Sequence, residues 1–237
     1  MQQINVNPIK TLLVAVAVCL TFGVIAQEKS TPLEQVMEGL TVRNIGPAGM
    51  SGRVTCIAAH PLKATTLYAG SASGGLWVSE NNGQNWSPLF QNEKVASIGA
   101  IAIDPNYPDI IYVGTGEGNP RNSQTSGYGL YKSYDGGQNW ECIGLEQTRT
   151  IHRILINPEN TDEIYVGATG SAWGDSPRGV FKTTDGGKNW TNSLYINDRT
   201  GAGDLVMDPN NPKKRYELMT KDMPLGGCLL YTSDAAD

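Results

Sequence analysis

One eight-residue pattern, Ser/Thr-x-Asp-x-Gly-x-x-Trp, occurs three times and limits what this chain can fold into. The copies are Ser79 to Trp86 (S-E-N-N-G-Q-N-W), Ser133 to Trp140 (S-Y-D-G-G-Q-N-W) and Thr183 to Trp190 (T-T-D-G-G-K-N-W). Each sits between two short runs carrying aromatic or bulky apolar residues, which is how a strand, a polar turn and a second strand are written. The side chain of Asn81, Asp135 or Asp185 is suited to accept N–H groups of its own turn. Gly83, Gly137 and Gly187 stand where the turn needs a positive φ. Trp86, Trp140 and Trp190 each open a strand with a large apolar plate for burial between neighbouring units.

Around these turns a unit of about fifty residues recurs from Val54 onward, a period typical of repeat architectures. Its first strand ends before a proline: His60-Pro61, Asp104-Pro105, Asn157-Pro158, Asp208-Pro209. The second strand covers Thr66 to Gly70, Ile110 to Gly114 and Glu163 to Gly167, the last two sharing I-Y-V-G. A third strand covers Gly75 to Val78, Gly129 to Ser133 and Gly179 to Thr183, and the fourth runs from each Trp to Phe90, Leu145 or Tyr195. The reading is therefore all-β: an incomplete β-propeller of four-stranded antiparallel blades, three blades and the start of a fourth. A stacked β-solenoid is the alternative, disfavoured by four strands per repeat and by long second-to-third connections. The blades are expected at 53–95, 96–148 and 149–198, with a fourth beginning at 199–214. Three blades close no ring, so this polypeptide is expected to aggregate.

The ends read differently. Residues 1–26 have the make-up of a secretory signal peptide: one positive charge before an apolar run at Thr11 to Ile25, then Ala26 before Gln27. Cys19 is poorly placed for lipid attachment, and no membrane span is expected once the signal is removed. Residues 27–52 should hold a short helix opening at Thr31-Pro32-Leu33-Glu34 and a lead-in strand. Residues 215–227 stop resembling the repeat and their frame is doubtful. Cys228 to Asp237, C-L-L-Y-T-S-D-A-A-D, reads as the translation of a transposase sequencing adapter and is expected to be foreign to the fold. The chain then represents a fragment.

Charge and composition exclude several functions. The net charge is −5, from 18 basic and 23 acidic residues with no basic block, so nucleic-acid binding lacks an electrostatic driver. There are two histidines and no Cys-x-x-Cys or His-x-x-x-His spacing, so neither a metal nor a cofactor is expected. Gly114 to Gly118, G-T-G-E-G, lacks the helix and lysine of a phosphate loop. Cys56 and Cys142 fall in distant strands and should be free thiols.

With these residues in view, the chain resembles the bacterial Asp-box (bacterial neuraminidase repeat) propellers related to the sortilin N-terminal domain. The three turns carry the resemblance, together with Arg43 to Val54 (R-N-I-G-P-A-G-M-S-G-R-V), Gly114 to Ser123 (G-T-G-E-G-N-P-R-N-S) and Gly201 to Pro209 (G-A-G-D-L-V-M-D-P). It implies a large exported protein of the type labelled glycosyl hydrolase, secreted, periplasmic or at the cell surface. It also implies that Asp135 and Asp185 are structural. In xyloglucan-active members an acid follows the second strand of an early blade. The matching stretch here is Tyr68 to Gly75, Y-A-G-S-A-S-G-G, with Ala72 in the acid's place. A sialidase would need an arginine cluster, for which Arg43 and Arg53 are the available residues.

Functional residues on such a fold are expected on the face made by second-to-third-strand loops and by the approaches to the first strands. Those positions hold Arg53, Glu117, Asn119, Arg121, Asn122, His152, Arg153, Trp173, Asp175 and Arg178. Trp173 with Asp175 and Arg178 has the chemistry of a sugar platform, although a solvated loop accounts for the same residues. The expected partner is a glycan or an extracellular or periplasmic protein, bound without catalysis. The alternative is the N-terminal part of a secreted sialidase- or xyloglucanase-like hydrolase whose carboxylates lie mostly elsewhere. A third reading is an assembly or sorting receptor for a protein.

Overall fold

The computed structural model describes residues 52–119, 124–171, 174–221 and 227–234. The expected signal peptide, short helix and lead-in strand lie outside these residues, as do Arg43, Arg121, Asn122 and Trp173. The described chain is all-β, with one short 3-10 turn at Glu146–Thr148. The first sheet comprises β1 (Val54–Ala59), β2 (Leu67–Ser71), β3 (Gly75–Ser79) and β4 (Ser87–Pro88). The second comprises β5 (Ile98–Ile103), β6 (Ile111–Thr115), β7 (Leu130–Ser133) and β8 (Glu141–Cys142). In the third are β9 (Ile151–Ile156), β10 (Ile164–Ala168), β11 (Gly179–Thr183) and β12 (Thr191–Leu194), and in the fourth β13 (Thr200–Asp208), β14 (Asn211–Lys221) and β15 (Gly227–Asp234). Strands pair antiparallel in chain order within every sheet, and β1, β5, β9 and β13 approach one another in succession. This is the architecture of an incomplete propeller.

The cores lie between successive sheets. Tyr68, Leu76 and Phe90 of the first meet Ile98, Ile111, Val113 and Tyr131 of the second. Ala100, Tyr112 and Leu130 of the second meet Ile151, Ile154, Val166 and Phe181 of the third. The glycine of I-Y-V-G makes this stacking close: a Cβ on Gly114 would stand 2.3 Å from Ile151 Cγ2. Any side chain there would push the first strand of the next sheet outward.

Each repeated turn is a small hydrogen-bonded unit. Ser133 Oγ donates to Asp135 Oδ1 at 2.8 Å and accepts from Gly137 N at 2.8 Å. Asp135 Oδ1 accepts from Gln138 N and Asn139 N at 3.0 and 2.9 Å, and Oδ2 accepts from Asn139 Nδ2 at 2.7 Å. Thr183, Asp185, Gly187 and Asn189 repeat the pattern. These bonds, led by the Asn139 N–H, lower the Asp135 carboxyl to about 2. The fourth position is also left-handed, with φ of 72° at Gly136 and 73° at Gly186, and Asn82 meets the same need at 57°.

Two expectations are corrected. The fourth strands are shorter than the runs beginning at Trp86, Trp140 and Trp190. In the first sheet Leu89 N still donates to Leu76 O at 2.9 Å, and beyond it Phe90 turns into the core between the sheets. In the second, left-handed Gly144 (φ 111°) and Leu145 (φ 63°) turn the chain away. The fourth sheet, in turn, continues past residue 214. β14 pairs with β13 so that Tyr216 faces Val206, the register in which Tyr112 faces Ala102 and Tyr165 faces Leu155. Met219 is fully buried against Tyr165, Val180, Ala202 and Leu205. β15 spans Gly227–Asp234, most of which the sequence reads as foreign to the fold. An apolar, β-favouring run beside an open strand edge pairs with it whatever its origin, so this pairing concerns folding alone.

Candidate functional site

The loop face lies where the first strands begin and the second strands end. Arg53, leading into β1, forms an ion pair with Glu117, which follows β6. Glu117 is fully buried and its N–H donates to Thr125 O at 2.9 Å. Glu117 is thus tied to the first sheet by its side chain and to Thr125, later in the same loop, by its backbone. Gly127 N donates to Arg149 O at 2.6 Å, which ties the same loop to the approach to β9.

His152 stands next along the face. A Cβ on Gly118 would lie 2.2 Å from its Nδ1, so the loop backbone covers the imidazole. Burial pushes the His152 pKa down, neighbouring Arg153 pushes it further, and Asp204 partly offsets both. Arg153 Nε donates to Asp204 Oδ1 at 2.5 Å, bridging β9 and β13. Arg53 is thus paired with Glu117 and Arg153 with Asp204, while the His152 ring lies under the Gly118 backbone. Asp204 was missed as a site residue, although it lies in the G-A-G-D-L-V-M-D-P stretch already singled out. Asn119 contributes a backbone carbonyl, which accepts from Gln124 Nε2 at 3.0 Å.

Asp175 and Arg178 belong to a separate cleft of about 530 Å³ at the third sheet, lined also by Ser176, Pro177, Asn192, Tyr195 and Asp198. Arg178 is buried, and its terminal nitrogens donate to the carbonyls of Thr169, Ser171 and Gly174. It staples the β10–β11 loop from inside. Tyr195 is 53% exposed, and its hydroxyl donates to Asp198 Oδ1. The sequence offered no periodic signal for Asp198, which falls in the variable connection after β12, and Tyr195 was legible only as the end of a fourth strand, in line with Phe90 and Leu145.

At the opposite ends of the same strands, Glu163 accepts from Asn157 Nδ2 at 2.6 Å and Tyr165 OH at 2.5 Å, with Lys182 Nζ at 2.7 Å. Burial alone would raise this carboxyl. The three donors outweigh it and hold Glu163 at about 2. Its position under the β9–β10 turn makes it a structural tie. Among the described residues no cluster of side chains is suited to hold a metal ion, Cys56 and Cys142 are free, and no helix is long and apolar enough to cross a membrane.

No family model matches the chain. The oligoxyloglucan-reducing end-specific xyloglucanase of Emericella nidulans is 29% identical over 129 residues, covering 49% of this chain and 15% of that enzyme. A probable enzyme of the same name from Neosartorya fischeri is 28% identical over 109 residues, or 44% of this chain and 12% of the other. The chain thus spans a minor part of these relatives. Among solved structures, an ancestral GH74 enzyme superposes with a TM-score of 0.64 at 21% identity, over 80% of this chain and 25% of that one. The GH74 enzyme of Niastella koreensis gives 0.59 at 22%, over 76% and 28%. The chain is similar to glycosyl hydrolase-type propellers in fold.

Proposed function

We propose that this chain belongs to an exported Asp-box propeller whose loop face binds carbohydrate without hydrolysing it. One observation carries the reading. Ala72, buried at 2% exposure, stands where the resemblance places an acid, while Glu117 and Asp204 are each engaged by an arginine. Glycoside hydrolysis usually needs two carboxyl groups presented to opposite sides of one bond. Carboxylates turned to guanidinium partners across a blade boundary are not so presented. The sequence likeness to two xyloglucanases supports carbohydrate as the ligand. That likeness also favours a second reading, in which the chain is one portion of a hydrolase with catalytic carboxylates elsewhere.

Retention on immobilised xyloglucan, measured beside reducing-end release, separates these readings. Binding without release is expected. Release that disappears in Glu117→Gln or Asp204→Asn would move the reaction onto this face and overturn the non-hydrolytic reading. Indifference to glycans combined with capture of one exported protein would favour the sorting or assembly role.

A further inference from the structure

The cleft at the third sheet differs from the Arg53–Glu117 and Arg153–Asp204 pairs, because its lining includes side chains open to a ligand. Resting on the carbohydrate-binding reading, we infer that it is a subsite for a neutral hexose unit and rejects acidic sugars. Its volume of about 530 Å³ lies within the usual range of small-ligand pockets. Tyr195 forms one wall as a half-exposed ring, and the bond from its hydroxyl to Asp198 fixes the ring's orientation. A pyranose has a C–H face that packs on such a ring and an equatorial rim of hydroxyl donors. Asp175 and Asp198 supply acceptors for that rim. Asn192 is anchored by its Nδ2, which donates to Arg178 O at 3.0 Å, and so adds a positioned amide.

The exclusion of acids follows from Arg178. A buried arginine in a sugar cleft would ordinarily suggest a receptor for a uronate or sialate carboxylate. Here both terminal nitrogens are turned to backbone carbonyls, and Nε is buried over the bare Cα of Gly170 with no acceptor, out of a ligand's reach. The carboxylates of Asp175 and Asp198 are the charges left to meet a ligand, and an anionic sugar would bring like charge against them.

Isothermal titration of the full chain with a neutral xyloglucan oligosaccharide, an oligogalacturonate of equal length and an oligolysine tests this. The neutral sugar should bind, and Tyr195→Ala should weaken it about tenfold, the loss expected for one aromatic stacking contact. Tyr195→Phe keeps the plate and should stay within about threefold of wild type, guarding against a folding artefact. Unchanged near-UV circular dichroism in both variants secures the comparison. Wild-type binding that survives Tyr195→Ala would overturn the subsite and leave the carbohydrate reading standing. Preference for the galacturonate or oligolysine would overturn the neutral class. No binding of any glycan would remove the broader reading and this inference with it.

Discussion

The turn at Ser79 to Trp86 and its two later counterparts have almost the same internal bonds and different surroundings. Asn81 Oδ1 accepts from Asn85 N at 2.9 Å, just as Asp135 and Asp185 accept from Asn139 and Asn189. Beyond the turn the likeness ends. Trp140 Nε1 donates to Leu89 O at 3.2 Å and Trp190 Nε1 to Ile143 O at 2.9 Å, both in the preceding sheet. Trp86 Nε1 turns back on its own Gly83 O at 3.0 Å. A Cβ on Gly137 or Gly187 would stand 2.9 Å from Leu89 Cδ1 or 2.6 Å from Ile143 Cδ1, whereas Gly83 would meet only Trp86, at 3.6 Å. The acid, the hydroxyl and the left-handed backbone therefore make the turn. The tryptophan and the lack of a Cβ at the fifth position make the joint between sheets.

The largest consequence is on the first sheet's outer side. Val54 is 59% exposed and Ile57 68%, and Val54, Ala69, Trp77 and Trp86 line an apolar hollow of about 370 Å³. Contiguous apolar surface of this kind drives association. This polypeptide should sediment as oligomers, and Ile57→Lys should weaken self-association at least tenfold, the equivalent of one buried aliphatic side chain. A monodisperse wild-type monomer, or an Ile57→Lys variant that associates as tightly, would mean that the exposed face is not sticky.

A smaller difference should separate the tryptophans. Trp190 packs at the joint between the second and third sheets, so Trp190→Ala should destabilise by about 2–3 kcal/mol, below the range for a fully buried aromatic. Trp86→Ala should cost under about 1 kcal/mol, since surface changes are usually mild. Pulse proteolysis in urea reads both. Equal losses would mean that the Trp86 plate already has an intersheet partner.

Much of this scaffold was legible because a repeat states its rule several times. The proline after each first strand, I-Y-V-G and the repeated turn together placed the strands of three sheets, and they placed the loop face with them. The fourth strands were overextended in the second sheet because the left-handed pair Gly144-Leu145 acts locally, within a run that looks β-favouring. β14 went unread since Arg215 and Glu217 occupy the columns of Ile111 and Val113, and only the pairing exposes Tyr216 as the retained tyrosine. At the candidate site, the approaches and loops were legible as one face because the repeat fixes where the first strands begin and the second strands end. Their partnerships were not legible, because Arg53 with Glu117 and Arg153 with Asp204 join residues far apart in sequence and leave no periodic trace. Asp198 gave no signal for the opposite reason: it occurs once, in a connection that differs in every unit, and Tyr195 was legible only as a strand end.

The smallest effect concerns the acid itself. Hydrogen bonds from the Asn139 N–H, the Asn139 side chain and Ser133 lower Asp135 to about 2, below the usual value of about 3.9 for an unfolded aspartate. A lowered folded-state pKa stabilises above the unfolded value and is lost as pH falls through the folded one. Asp135 thus contributes at pH 6, less at pH 3, and nothing once both forms are protonated below about 2. Asn81 carries no such dependence. Asn81→Asp should therefore stabilise the chain near neutrality, because a charged acceptor strengthens the bonds from Asn85 N and Ser79 Oγ. That gain should shrink steadily between pH 4 and pH 2. A variant whose advantage is the same at pH 2 and pH 6, or a carboxyl ¹³C titration placing Asp135 near about 3.9, would show that the turn's bonds do not favour the ionised acid.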